Sequence, residues 1–189
     1  MSRLYLRPIP VKRALRWNAE VHRRLPALQG DMWAIAAVRG GLTERSPGGG
    51  DRDGNVLILD RTVGIAIVGR PTARRLDSQE ETLGALQVLR VAVVEGDESP
   101  SGHKGANSIL YGACARVSRD MGALDLFTYI HHDEEGVALK AAGWIEDKSF
   151  VSDGGEWGRP SRPRKKTVEP GPKRRFCAPW SLMVAGLIR

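Results

Sequence analysis

One stretch of forty residues, Thr82 to Met121, constrains the fold more than any other part of the chain. It opens with an apolar run, Leu86 to Val94, whose length and β-branched content suit a buried strand rather than a helix. A loop containing Gly, Ser and Pro follows. Apolar residues then recur at Ala106, Ile109, Leu110, Ala113, Cys114, Val117 and Met121, the period of one helical face. Strand, polar loop and helix N-terminus make a place for an anion, because the first-turn N–H groups and the positive end of the helix dipole face the loop. Gly102 and Gly105 permit close approach there, and Lys104 adds a charge. The same pattern also fits an ordinary turn between two core elements.

The rest of the chain surrounds this unit with short elements. Arg3–Ile9 reads as a strand ended by Pro8 and Pro10, and Val11–Leu25 as a helix. One stripe of that helix holds Val11, Ala14, Leu15 and Leu25, interrupted by Asn18 and His22, polar groups that need partners or a cavity. Trp33–Val38 is a second strand, and 39–55 is a Gly-, Asp- and Arg-rich loop. Val56–Leu59 and Val63–Val68 form a third strand or a hairpin. After the long helix, Gly122 is a stop, Leu124–Ile130 a strand, Glu134–Ala142 a short helix, and Ile145–Val151 a last β segment. The order predicts a single-domain α/β layer fold with a mixed sheet.

Charge divides the chain. The segment from Arg159 to Arg175 holds eight basic residues and one acid, so the whole net charge of +7 is concentrated there. We therefore divide the chain into a body, 1–151, and a basic, Pro-rich C-terminal extension, 152–189. Arg159, Arg162, Arg164, Lys165, Lys166, Lys173, Arg174 and Arg175 are candidate contacts to a nucleic acid, or else a solvated tail. No apolar run reaches the roughly 20 residues of a membrane span, and the N-terminus lacks a secretory core, so no membrane partner and a cytoplasmic location are expected. Cys114 and Cys177 read as free thiols, and no spacing resembles a metal site.

The strand into the loop at Gly102 to Asn107, the strand LDLFTYI and the helix EEGVALKAAGW together resemble the GNAT-fold acyltransferases. The resemblance implies a mostly antiparallel sheet with helices on both faces and a central strand splayed from its neighbour, with acyl-CoA, acetyl-CoA in the first instance, paired to Arg90, Val91, Ala92 and Val93. The pyrophosphate would then rest on Gly102, His103, Lys104, Gly105, Ala106, Asn107 and Ser108. The family loop is normally Arg/Gln-x-x-Gly-x-Gly/Ala, whereas here it is longer, with Ser101-Gly102-His103-Lys104-Gly105-Ala106. A narrower likeness spans nearly the whole chain to Phe176. SILYGACARVSRDMG, AAGW, GGEWGRPSRPR, GPKRRF and the pair His22-Arg23 are similar to phage and prophage GNAT-like proteins related to the Mom type of DNA-modification enzyme. That likeness implies DNA as a partner and the amino group of a nucleobase as acceptor. Residues 177–189 fall outside it.

Acyl transfer to an amine needs a base, donors for developing negative charge, and an acid for the leaving thiolate. The tyrosine that serves as acid in many such enzymes would fall at Leu139. Tyr111, Tyr129 and Ser108 are the alternatives. His22 is the candidate base, with Asp133, Glu134 or Glu135 eligible if partly buried. Arg90 is a cation in an apolar run and requires a partner or a ligand. Trp157 and Trp180 are candidate base-stacking side chains. Three functions fit: a DNA-modifying acyltransferase, an acetyltransferase for a small-molecule or protein amine, and a non-catalytic DNA-binding module of the same fold.

Overall fold

The computed structural model describes residues 4–21, 31–39, 62–71, 84–94, 105–150, 152 and 171–182. They form β1 (Leu4–Ile9), α1 (Val11–Val21), β2 (Asp31–Arg39), β3 (Thr62–Gly69), β4 (Ala85–Val93) and α2 (Ala106–Asp120). Then come β5 (Asp125–His131), α3 (Val137–Ala141), β6 (Ile145–Asp147) and β7 (Lys173–Cys177). The strands join one sheet in the order β1-β2-β3-β4-β5-β7-β6. Every neighbouring pair is antiparallel except β4 and β5, which α2 connects as parallel strands. The α/β fold with a mostly antiparallel sheet is as the sequence predicts.

Alternating side chains give the sheet two apolar faces. On one, Val68, Leu86, Val88, Leu126 and Ile130 meet Leu110, Cys114 and Leu139 of α2 and α3. On the other, Ala34, Ile65, Ile67 and Ala92 meet Ala14 and Trp17 of α1. Farther along that second face, Ala85, Phe127 and Cys177 are buried with Tyr129 and Ile145 against them. Asn18, on the buried stripe of α1, is fully enclosed. The described part of α1 ends at Val21, so His22 and Leu25 lie outside the described residues, as does the Val56–Leu59 run.

Three elements differ from the sequence reading. The short helix begins at Val137 rather than Glu134, because Gly136 takes a left-handed φ of 66° at its N-cap. A Cβ there would lie 2.9 Å from Phe176 Cζ, so only glycine fits that approach. The last segment stops at Asp147, whose Oδ1 accepts from Ser149 N (2.9 Å) and Ser149 Oγ (2.6 Å) in a tight turn. The largest difference is β7. Lys173–Cys177, assigned by charge to the extension, is inserted in the sheet between β5 and β6. Two of its cations, Arg174 and Arg175, are met by acids on the adjacent strand, so the run does not read as a strand from charge alone. Beyond it Ala178 N donates to Leu126 O (2.8 Å), Trp180 Nε1 to Ala115 O (3.1 Å) and Ser181 Oγ to Asp125 Oδ1 (2.5 Å). Residues just past Cys177 thus close the chain against β5 and α2. Among the described residues no helix is long and apolar enough to cross a membrane.

Candidate functional site

The site begins where a ladder stops. β4 and β5 pair only at Ala85↔Asp125, Leu86↔Leu126 and Gln87↔Phe127, although β4 runs on to Val93 and β5 to His131. On its other side β4 keeps pairing with β3, through Arg90↔Ile67 to Val93↔Gly64, and the register skips Leu89 in a bulge. Val94 N donates to Val63 O at 2.9 Å, toward β3. Strand alternation then turns the backbone groups of Val91 and Val93 the opposite way, into the gap between β4 and β5. The outer half of β4 therefore presents main-chain groups to an opening inside the sheet. At the inner end of the gap Thr128 Oγ1 donates to Val88 O at 3.0 Å.

Helix α2 sits over the mouth of this gap. A Cβ on Gly64 would touch both Val93 and Leu110, which places the first turns of α2 beside the C-terminal end of β4. At the other end Ala123 N bonds Ser118 O, and Leu124 N bonds Gly84 O, next to the start of β4. The helix thus runs antiparallel to the strand, with its N-terminus at the open end. Its N-cap, Gly105, has a φ of 83° and no side chain caps the helix. Ile109 N donates to Gly105 O at 2.9 Å and opens the helical ladder. The N–H groups of Ala106, Asn107 and Ser108 precede it and have no helical acceptor. Ser108 Oγ is turned back onto Gly105 O (3.0 Å). Among the predicted donor-binding residues, the structure thus brings Val91 and Val93 together with Gly105, Ala106, Asn107 and Ser108, whereas Arg90 and Ala92, of the opposite alternation, turn their main chain to Ile67 and Ile65 of β3 and away from the gap. Gly102, His103 and Lys104 lie outside the described residues.

The two candidate tyrosines occupy opposite faces. Tyr111 is on the α2 side, edge-on to Trp144 with ring centroids 5.6 Å apart, and Trp144 Nε1 donates to its carbonyl at 3.3 Å. Burial, with the neighbouring Cys114 and Glu134, pushes its phenol well above the ordinary range. Leu139 is packed in the core on the same side. Tyr129 is on the α1 side, against Phe127 (5.4 Å) and Phe150 (5.1 Å). Burial raises its pKa too, opposed by Arg175. Arg90, in register with Ile67, faces α1, and burial lowers its pKa. Asp133, Glu134 and Glu135 are exposed, which removes the partial burial their service as bases required. Glu134 instead accepts from His131 N through Oε2 (3.1 Å) and from Arg174 through its carbonyl (2.7 Å).

The candidate nucleic-acid contacts separate into two groups. Arg159, Arg162, Arg164, Lys165 and Lys166 lie outside the described residues, as does Trp157. Lys173, Arg174 and Arg175 are in β7. Arg174 grips Glu146 with two hydrogen bonds of 2.7 Å, and Arg175 donates from Nε to Asp147 Oδ2 at 2.8 Å with a second bond from the same guanidinium. Lys173 Nζ is 3.4 Å from His131 Nε2. The two arginines are wall material of the sheet, and their charges are spent on carboxylates. Trp180 likewise packs on the core rather than standing free as a stacking platform. Both cysteines are buried free thiols, raised by burial, Cys177 to about 11. The sequence reading missed Thr128, an ordinary strand residue by pattern, and the Asp147–Arg175 pair, hidden inside a basic run.

No protein-family model matches the sequence, and no curated protein matches it. Among solved structures the chain is similar to NAA60 from Arabidopsis thaliana in complex with acetyl-CoA, with a TM-score of 0.56 at 13% identity, covering 93% of this chain and 98% of that one. A protein from Desulfovibrio desulfuricans, described as an acetyltransferase of the GNAT family, aligns with a TM-score of 0.51 at 14% identity, over 93% and 98% of the two chains. The chain has the GNAT fold.

Asp147 offers a check on how the far wall is held. Burial alone would raise its carboxyl, but hydrogen bonds from Ser149 and Arg175 outweigh burial and hold it below the usual carboxylate value. A depressed carboxylate pKa stabilises the fold above the unfolded value, about 4, and that contribution fades as pH falls through the folded value. Asp147→Asn should cost about 3 kcal/mol at pH 7 by leaving Arg175 without its counter-charge. In urea unfolding the gap between wild type and variant should narrow as the pH drops below about 4; a gap independent of pH contradicts the assignment.

Proposed function

We propose that the chain is an acyl-CoA-dependent N-acyltransferase. One observation carries the reading: the outer half of β4 turns the backbone of Val91 and Val93 into a gap that β5 does not fill, with an uncapped helix N-terminus at its mouth. The pantetheine arm of acyl-CoA is an extended chain of amides and can pair with such a strand edge. Its pyrophosphate suits the N–H groups of Ala106, Asn107 and Ser108. When bound, acyl-CoA supplies a thioester-activated acyl group. The main-chain N–H groups of β4 in the gap are positioned to accept negative charge developing on the acyl oxygen. Tyr111 is the proposed acid, on the strength of its place on the same α2 and α3 side as Leu139. Tyr129, on the opposite face, and Ser108 are the alternative acids. His22 keeps the role of base as part of this proposal.

For the acceptor we infer a nucleobase amine in DNA. Support comes from the sequence, through the likeness to Mom-type proteins and through the cluster at Arg159, Arg162, Arg164, Lys165 and Lys166. Arg174 and Arg175 are withdrawn from that role by their carboxylate partners. A duplex substrate would also have to extrude its base. An amine on a small molecule or a protein is the alternative acceptor, and a DNA-binding module without catalysis the alternative function.

Two measurements test these readings. Asn107 is exposed in the first turn of α2, so Asn107→Asp should stabilise the helix by about 0.5 kcal/mol through the dipole. The same charge should weaken acetyl-CoA binding in calorimetry about tenfold, equivalent to about 1.4 kcal/mol, by repelling the pyrophosphate. Unchanged affinity removes the cradle. For DNA, replacing the five basic residues from Arg159 to Lys166 by Gln should flatten the slope of log K against log salt for duplex binding, by about 0.9 for each phosphate left without a cation. Wild-type protein that does not bind DNA at low salt leaves the small-molecule or protein amine as acceptor.

A further inference from the structure

The gap between β4 and β5 has a fixed inner end, and a single side chain stands at it. The parallel ladder pairs Ala85 with Asp125, Leu86 with Leu126 and Gln87 with Phe127. The next pair in that register would be Val88 with Thr128. There the ladder is replaced: Thr128 Oγ1, on a residue only 4% exposed, donates to Val88 O at 3.0 Å. A hydroxyl on a side chain reaches the carbonyl from farther off than a backbone N–H would. It therefore satisfies a buried acceptor while holding the two strands apart. Directly after Val88 comes Leu89, the residue that the β3–β4 register skips. Two residues beyond the bulge lies Val91, whose backbone faces the gap.

We propose that the Thr128 hydroxyl is the positioning group that sets the apex of the donor gap. It ends the β4–β5 ladder at Gln87↔Phe127 and anchors Val88 just before the bulge, so that the backbone of Val91 meets the acyl carbonyl at a fixed depth. The proposal rests on the acyl-CoA reading above. Without the hydroxyl, Val88 O is left to find a backbone donor, and the nearest way is for the ladder to close by one more pair. That moves the apex by about 3.3 Å, the rise of one strand residue, and takes the polarising N–H out of register with the acyl group. The helix N-terminus that holds the far end of the donor is untouched, so binding persists while polarisation is lost. Thr128 touches neither reacting atom; it acts through β4.

The test uses the full chain and acetyl-CoA labelled with carbon-13 at the acyl carbonyl. Wild-type protein should bind it in calorimetry and shift the carbonyl resonance in the direction of stronger polarisation. Thr128→Val should still bind acetyl-CoA, with more than half of that shift gone. Thr128→Ser keeps the hydroxyl and should restore the shift. If the valine variant does not fold, Thr128→Ala serves as the hydroxyl-free protein. An equal shift in wild type and the hydroxyl-free variant overturns the positioning role, as does a serine variant that behaves like valine. Absence of acetyl-CoA binding in folded wild type overturns the acyl-CoA reading itself and this inference with it, a result distinct from bound donor with an unaltered shift.

Discussion

A buried main-chain N–H or carbonyl must be paired, and β4 is a central strand paired along most of one side and only at its start on the other. Everything that makes this fold more than a packed layer follows from that imbalance. On the β3 side the ladder runs nearly the whole length of the strand. On the β5 side it ends after three pairs, and the groups left over are offered to whatever extended chain can enter. The bulge at Leu89 gives the strand an extra residue where the pairing changes, so one edge is held in the sheet while the outer half of the other is left open.

The elements around the gap hold its shape. A side chain at Gly64 would meet Val93 and the Ala92 carbonyl of β4 first and Leu110 of α2 next, so the bare glycine lets the first turns of α2 and the end of β4 pack together at the mouth. On the far side β5 is held away from β4 by its own partners: β7 pairs along Phe127 to His131, and Arg174 and Arg175 tie β7 to Glu146 and Asp147 on β6. Gly136 lets Phe176 of β7 pack beneath the start of α3. A strand with a stiff antiparallel neighbour on one side does not readily swing to close a parallel ladder on the other. The segment past Cys177 adds to this wall through Ala178, Trp180 and Ser181.

The sequence made most of this legible, for reasons that also explain its failures. The strand-loop-helix unit was readable because apolar periodicity reports burial, and β4 and α2 are both deeply buried on one side. The mixed sheet followed from strands alternating with helices; which pair is parallel, β4 with β5, came from the structure. Strand β7 was not readable, because three of its five residues are basic and neighbouring Pro and Arg lend the segment the composition of a solvated tail. Only the partners, Glu146 and Asp147, distant in sequence, convert those charges into sheet contacts. Thr128 was invisible for a different reason: a threonine in a strand is ordinary, and its role lies in a register that pattern alone cannot supply. The structure puts Leu139 in the core, with Tyr111 packed on the same side.

The most direct measurement is residue-resolved amide hydrogen exchange at Val91, Val93 and Val94, with and without coenzyme A. Val91 and Val93, facing the gap, should exchange quickly in the free protein and be slowed when coenzyme A is added, while Val94, bonded to Val63 O, should be protected in both states. Equal protection of all three in the free protein, or no slowing of Val91 and Val93 on addition, would contradict a donor site built on the unpaired edge of β4.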